Sequence, residues 1–176
     1  QRGRGEDGPD RGRMSAPAGA TERVVAALRA AGVEPDVHEF PQGTRTSQDA
    51  ADAVGCDVAQ IAKSIVFRLD REGEEPEALL VITSGPNRVD VGKAGALAGG
   101  VLSKADAAFV RDHTGFAIGG VPAVAHARPI PVLVDEDLTA FATVWSAAGT
   151  PNAVYPIALA TLVALTGGRV ADVAER

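Results

Sequence analysis

Cysteine is almost absent from this chain: Cys56 stands alone among 176 residues. An intrachain disulfide and a cysteine metal cluster are therefore excluded, and a lone thiol fits a reducing compartment. Histidine is nearly as scarce. His38, His113 and His126 lie far apart, with neither HExxH nor HxH spacing, so no zinc site is expected. Aromatics make up only 4% of the chain, so a core must come from Val, Leu, Ile and Ala. No apolar run approaches the roughly 20 residues that cross a bilayer. No signal-peptide pattern precedes the apolar segments, so the cytoplasm is the expected compartment and no membrane partner is expected. A GxSxG elbow, a P-loop and a GxGxxG turn opening a helix are all missing, which removes three common enzyme classes. The net charge of −6 argues against a protein that grips long stretches of DNA or RNA. It leaves room for one that touches only the end of an RNA.

What the chain does have is enough apolar residue, 45%, to fill one core, and a length that suits one domain. Residues 1–13, QRGRGEDGPDRGR, carry no large apolar side chain and read as a disordered tail before a single domain over 14–176. The four arginines there face three acids, too weak a bias for a basic RNA-gripping arm.

Period and cap signals predict helices over 20–31, from Thr46 or Ser47 to Gly55, from Asp90 to 98, and over 158–165. Asp57 with Gln60 predicts one further helical turn. Ser103 with Asp106 resembles a capping box before a helix ending near 112. IAKSIVFRLD and ALLVITS, joined by the acidic turn REGEEPE, read as a β-hairpin. Further strands are predicted over 36–40, 115–118, 130–134 and 142–146, and in AVYPI after the turn AAGTPN. Strands and helices mix without regular βαβ alternation, so the fold class is α+β.

Three features stand out from this frame. Alternation along 61–70 puts Lys63 on one face with Ile61, Ile65, Phe67 and Leu69. A lysine there either snorkels to water or lines a cavity, where an anion or strong acceptor must meet its ammonium. Gly119-Gly120-Val121-Pro122 follows the run FAI. Paired glycines make a tight turn, or aim backbone N–H groups at a phosphate or an ester oxygen. The third, Ala148-Gly149-Thr150-Pro151-Asn152, reads as a turn with polar groups at its tip. Cys56, between two short helices, reads as a small buried or half-buried thiol.

Taken in order, VAQIAKSIVF, DHTGFAIGGVPAVAHARPIPVLVD and ATVWSAAGTPNAVYPI resemble the YbaK/ProX-type deacylases over about residues 20–173. The resemblance implies a mixed, largely antiparallel sheet curled into a partial barrel with surrounding helices. It implies hydrolysis in trans of mischarged aminoacyl-tRNA, commonly proline tRNA bearing a small wrong amino acid. No metal, cofactor or protein nucleophile is implied. The partner would be the aminoacyl-tRNA acceptor end, with prolyl-tRNA synthetase a candidate second partner. Lys63 matches the essential lysine, and Gly119 and Gly120 match the loop facing the scissile ester. Ser64, Ile118, Val121, Pro122, Gly149 and Thr150 fall in the substrate-binding segments, and Phe40, His38 and Thr44 near the matching upstream loop. Ile65, Phe67 and Ile118 would form the wall that limits substrate size. Phe40 stands where some members have tyrosine, and Ala123 where several place the loop's proline. The alternative is the same fold binding a tRNA end or a nucleotide without hydrolysis.

Overall fold

A computed structural model describes residues 19–40 and 46–176. The tail over 1–13 and Thr44 lie outside the described residues. The described chain forms an open mixed sheet of eight strands, ordered β1-β7-β6-β2-β3-β5-β8, with β4 also pairing β2. These are β1 (His38–Glu39), β2 (Ile61–Asp70), β3 (Glu77–Ser84), β4 (Val101–Lys104), β5 (Val132–Asp135), β6 (Thr143–Ala147), β7 (Ala153–Ala158) and β8 (Arg169–Ala171). Five α-helices accompany them: α1 (Ala20–Ala30), α2 (Ser47–Val54), α3 (Val91–Ala98), α4 (Ala107–Thr114) and α5 (Leu159–Thr166).

The local signals explain most boundaries. Thr46 Oγ1 accepts from the Asp49 amide, and Gly55 in the left-handed region closes α2. Asp57 starts a single 3-10 turn over Val58–Gln60. Asp90 caps α3 by accepting from the Lys93 amide. β2 and β3 pair antiparallel from Ala62↔Ser84 to Leu69↔Glu77, the predicted hairpin.

Two expectations need correction. Residues 115–118 are not a strand. Gly115, at φ 79°, ends α4, and the Phe116 amide donates to Thr114 Oγ1 instead of to a ladder. Ser103 does not cap α4. It lies in β4, opposite Arg68, and Asp106 is the cap, accepting from the Phe109 amide. Both faces of β2 contribute to the core. Ala62 and Val66 enter the main core with Val24, Leu28, Phe116 and Tyr155. Leu69, on the opposite face, joins a smaller core under α3 with Leu79, Val81 and Leu133. A sheet covered on both faces has apolar residues at both parities, which blurs the alternation.

A break along the edge of β2 positions the site. On the side away from β3, β6 pairs only Ile61 and Ala62, and β4 pairs only Phe67 to Asp70. Among the described residues, 63–66 therefore have no strand beside them on that edge, and a cavity opens there.

Candidate active site

The cavity measures about 350 Å³ and has a mainly apolar lining. Ile61, Lys63, Ile65 and Phe67 reach it from one face of β2, and Ala62, Ser64 and Val66 from the other. The exposed β2 edge explains how one strand supplies both. Lys104, Val110, Ile118, Gly119, Val121, Trp145, Pro151 and Val154 complete most of the wall, with Thr46 and Ser47 at the start of α2. A second, more open cavity shares Thr46, Ser47 and Lys63 and extends to Gln48, Gly85 and Pro86. Lys63 thus stands at the junction of a mainly apolar chamber and a more open one of mixed lining.

The Lys63 side chain is half-buried. Its Nζ donates to the Gly85 carbonyl at 3.0 Å. An ammonium has three donors, so two remain for a ligand. Burial, and secondarily the Arg88 guanidinium, push this lysine below its ordinary 10.5, while Asp135 acts the other way. The carbonyl that meets it is held in place. A Cβ on Gly85 would lie 2.2 Å from the Val58 carbonyl oxygen, so only glycine fits there. Beside Lys63, the Ser64 hydroxyl is buried with no hydrogen-bond partner among the described residues.

The double glycine packs against the late turn. A Cβ on Gly120 would come within 2.9 Å of both Gly149 O and Thr150 Cα. Gly119 adopts φ 90°, and Gly149 φ 93° with its α-carbon against the Ala20 backbone. The loop from 119 to 122 is therefore fixed from behind. On its other flank, His126 Nε2 lies 2.7 Å from the Pro122 carbonyl oxygen. A carbonyl only accepts, so Nε2 carries the hydrogen.

Burial holds the His126 imidazole below its ordinary 6.5. The unfolded chain therefore binds more protons than the folded one between the folded and unfolded values. The stability contributed by neutral His126 is present above about pH 6.5 and is lost as pH falls towards the folded value. Thermal melts from pH 8 to 5 are expected to show this decline, and His126→Gln to flatten it. An equally steep decline in the variant would assign the pH sensitivity to another group.

Not all the sequence candidates meet at the cavity. Lys63, Ser64, Ile118, Gly119 and Val121 line it. Gly120, Gly149 and Thr150 support the wall from behind, and Pro122 is buried beneath it. His38 and Phe40 are one layer out. The His38 ring meets Trp145 edge-on at 5.0 Å, and the Phe40 amide donates to the Asn152 carbonyl. The three histidines stay apart, with His113 stacked on Phe109. Cys56 is half-buried, and burial raises its thiol above the usual range. Sequence reasoning passed over Thr46, Ser47, Lys104, Trp145 and Pro151 as lining residues. Trp145 carried the best available signal, as the one tryptophan in a chain poor in aromatics.

The family model described as the aminoacyl-tRNA editing domain matches residues 41–165. The chain is 33% identical over 119 residues to the uncharacterized protein YwhH of Bacillus subtilis (strain 168), covering 68% of this chain and 73% of that one. Among solved structures, it is similar to one described as "a putative trans-editing enzyme for prolyl tRNA synthetase". The TM-score is 0.83 and the identity 46%, over 92% of this chain and 100% of the other. It is also similar to the hypothetical protein APE2540, with TM-score 0.77 and 32% identity, over 88% of this chain and 100% of that one.

Proposed function

The chain belongs to the family of aminoacyl-tRNA editing domains, and from that premise we propose that it hydrolyses the ester of mischarged aminoacyl-tRNA in the cytoplasm. The observation that carries this reading is the meeting of the Lys63 ammonium and the Gly119 backbone on one mostly apolar cavity. An aminoacyl ester is already activated, so its hydrolysis needs positioning and charge stabilisation more than a protein nucleophile. The apolar chamber takes the amino-acid side chain. The open chamber of mixed lining beyond Lys63 takes the terminal ribose and phosphate, with the two remaining Nζ donors holding an anionic or ester oxygen. Water attacks the carbonyl carbon, and the N–H groups of Gly119 and Val121 receive the developing oxyanion, the Gly120 amide being already donated to the Ala117 carbonyl. The acyl C–O bond then breaks, the ribose oxygen regains a proton, and free amino acid leaves. The substrate's own ribose 2′-hydroxyl, beside the ester, can relay that proton. The edge of β2 at residues 63–66, without a strand partner among the described residues, offers backbone acceptors for the α-ammonium of the amino acid.

Proline tRNA carrying a small wrong amino acid is the favoured substrate. Two points support it: the chamber's modest volume, and the likeness to a structure described as acting for prolyl tRNA synthetase. That synthetase is then the natural partner. An apolar pocket separates side chains one methylene apart by only about 1–3 kcal/mol, so graded activity on close analogues is expected.

The test is release of amino acid from proline tRNA charged with alanine, cysteine or serine. Release of at least one well above the spontaneous rate is expected. Spontaneous rates throughout, together with retained binding of the uncharged tRNA, would replace this reading with a non-hydrolytic tRNA-end binder.

A further inference from the structure

The buried carboxylate of Asp135 lies outside both chambers. It is fully buried at the end of β5. Pairing of Lys63 with Thr83, and of Ile82 with Val134, puts Lys63, Thr83 and Asp135 in one row across three strands, side chains on the same face. Lys63 and Asp135 are thus two strand spacings apart, roughly 10 Å. One oxygen, Oδ2, accepts from Thr83 Oγ1 at 3.1 Å, the Ser84 amide at 3.0 Å and Asn87 Nδ2 at 2.8 Å. Oδ1 accepts from the Asp137 amide at 3.0 Å. All four partners donate, which is the pattern an ionised carboxylate satisfies and an amide cannot.

Three of those donors belong to or flank the turn from Ser84 to Asn87. The Ser84 hydroxyl donates to the Ala59 carbonyl at 2.7 Å, and the Asn87 amide returns to the Ser84 carbonyl. At the centre of this turn is Gly85, whose carbonyl holds Lys63 Nζ. We propose that Asp135 is a positioning residue for Lys63: it fixes the turn that presents the Gly85 carbonyl to the lysine and places a buried negative charge in the lysine's own row.

Charged groups on the elements around Lys63 are Arg88 after β3, Lys104 at the end of β4, Asp49 on α2 and Asp135 on β5. Arg88 disfavours the ammonium and Asp135 favours it. Lys104 shares the cavity wall. Asp49 is engaged in capping α2 through the Thr46 amide. Asp135 is the acid that combines full burial with a place in the lysine's own row. The inference rests on the deacylase reading only for its consequence in catalysis. The effect on Lys63 exists without any substrate.

The sequence contains only Lys63, Lys93 and Lys104 as lysines, so 13Cε-lysine NMR resolves each side chain, with Lys63 assigned by its loss in Lys63→Arg. In Asp135→Asn, the Lys63 midpoint is expected to fall by roughly half to one pH unit while Lys104 holds still. An unmoved Lys63 in a folded Asp135→Asn protein overturns the proposal. Asp135→Glu is the second variant, in case the first does not fold, because it keeps the charge but displaces the turn. Its Lys63 midpoint is expected within about 0.3 unit of wild type, with kcat for deacylation at least tenfold lower and KM little changed. A Lys63 midpoint displaced as far as in Asp135→Asn, or an unchanged kcat, overturns it. If the wild type releases no amino acid from any mischarged tRNA, the titration still decides the proposal, and only the function in the preceding section is lost.

Discussion

Lys63→Ala is expected to lower deacylation by on the order of 100-fold or more and to leave the fold intact. The magnitude follows from what the ammonium offers. It holds one internal partner, the Gly85 carbonyl, and turns two donors to the cavities. Hydrogen bonds from a charged donor contribute about 1.5–3 kcal/mol each, and losing a donor aimed at developing charge typically costs 10²–10³ in rate. The fold stands because Lys63 is a half-buried cation whose burial disfavours its charge. Removing it leaves only the Gly85 carbonyl, beside an open chamber, to find water. Thermal melting should therefore move little. Lys63→Met separates shape from charge, since it keeps the stem and loses the donors. Lys63→Arg should not rescue, because a planar guanidinium cannot aim donors as a compact ammonium does. Since the charged form is required and the folded environment depresses it, activity should also fall on the alkaline side before pH reaches the ordinary lysine value of 10.5. Rates within threefold of wild type for Lys63→Ala would remove the lysine from the mechanism.

The contrast between the two halves of this site shows what a sequence can disclose. Lys63 was legible because charge on an apolar strand face conflicts with burial, and such conflicts mark function or strain. The caps at Thr46, Asp57 and Asp90, and the hairpin around Glu72 to Glu77, were legible because each is set by residues within a few positions. The cavity was not. It exists because β4 and β6 share one edge of β2 and leave four residues between them. That gap is a property of pairing between segments dozens of residues apart. β4 itself was missed because VLSK is short, and its neighbour Asp106 makes a strong cap that drew Ser103 into the wrong element. The run FAI looked like a strand for the opposite reason. Its composition is right, but Thr114 takes its first amide and Gly115 has already turned the chain. Asp135 gave no signal, since an acid after an apolar strand reads as a surface cap until three strands bring its donors together.

Gly120→Ala should be the second most damaging change at the site, and its cause differs from that at Gly119. Gly120 does not need a left-handed backbone; it needs the absence of a side chain. The added methyl would meet Gly149 O and Thr150 Cα at 2.9 Å and Pro151 Cδ at 3.2 Å. Two of these three are backbone atoms, and Gly149 cannot retreat because the Ala20 backbone lies behind it. The 119–122 loop must then move towards the cavity. Overpacking of this kind costs about 1–3 kcal/mol of stability, and a shift of about 1 Å at a reacting group can cost roughly 10²-fold in rate. At Gly119 the surroundings are open, the nearest atom being Pro151 Cγ at 4.0 Å, but φ is 90°. Alanine there meets backbone strain of roughly 1–3 kcal/mol without a clash. Both variants should therefore melt at lower temperature. Gly120→Ala should in addition lose at least tenfold in kcat per folded molecule, measured well below its melting point. The loop's role in chemistry hangs on that second number. A tight turn with no part in the reaction would lower the melting temperature and leave the rate of the folded protein alone, whereas N–H groups aimed at an oxyanion lose their aim with the first displacement of the backbone that carries them.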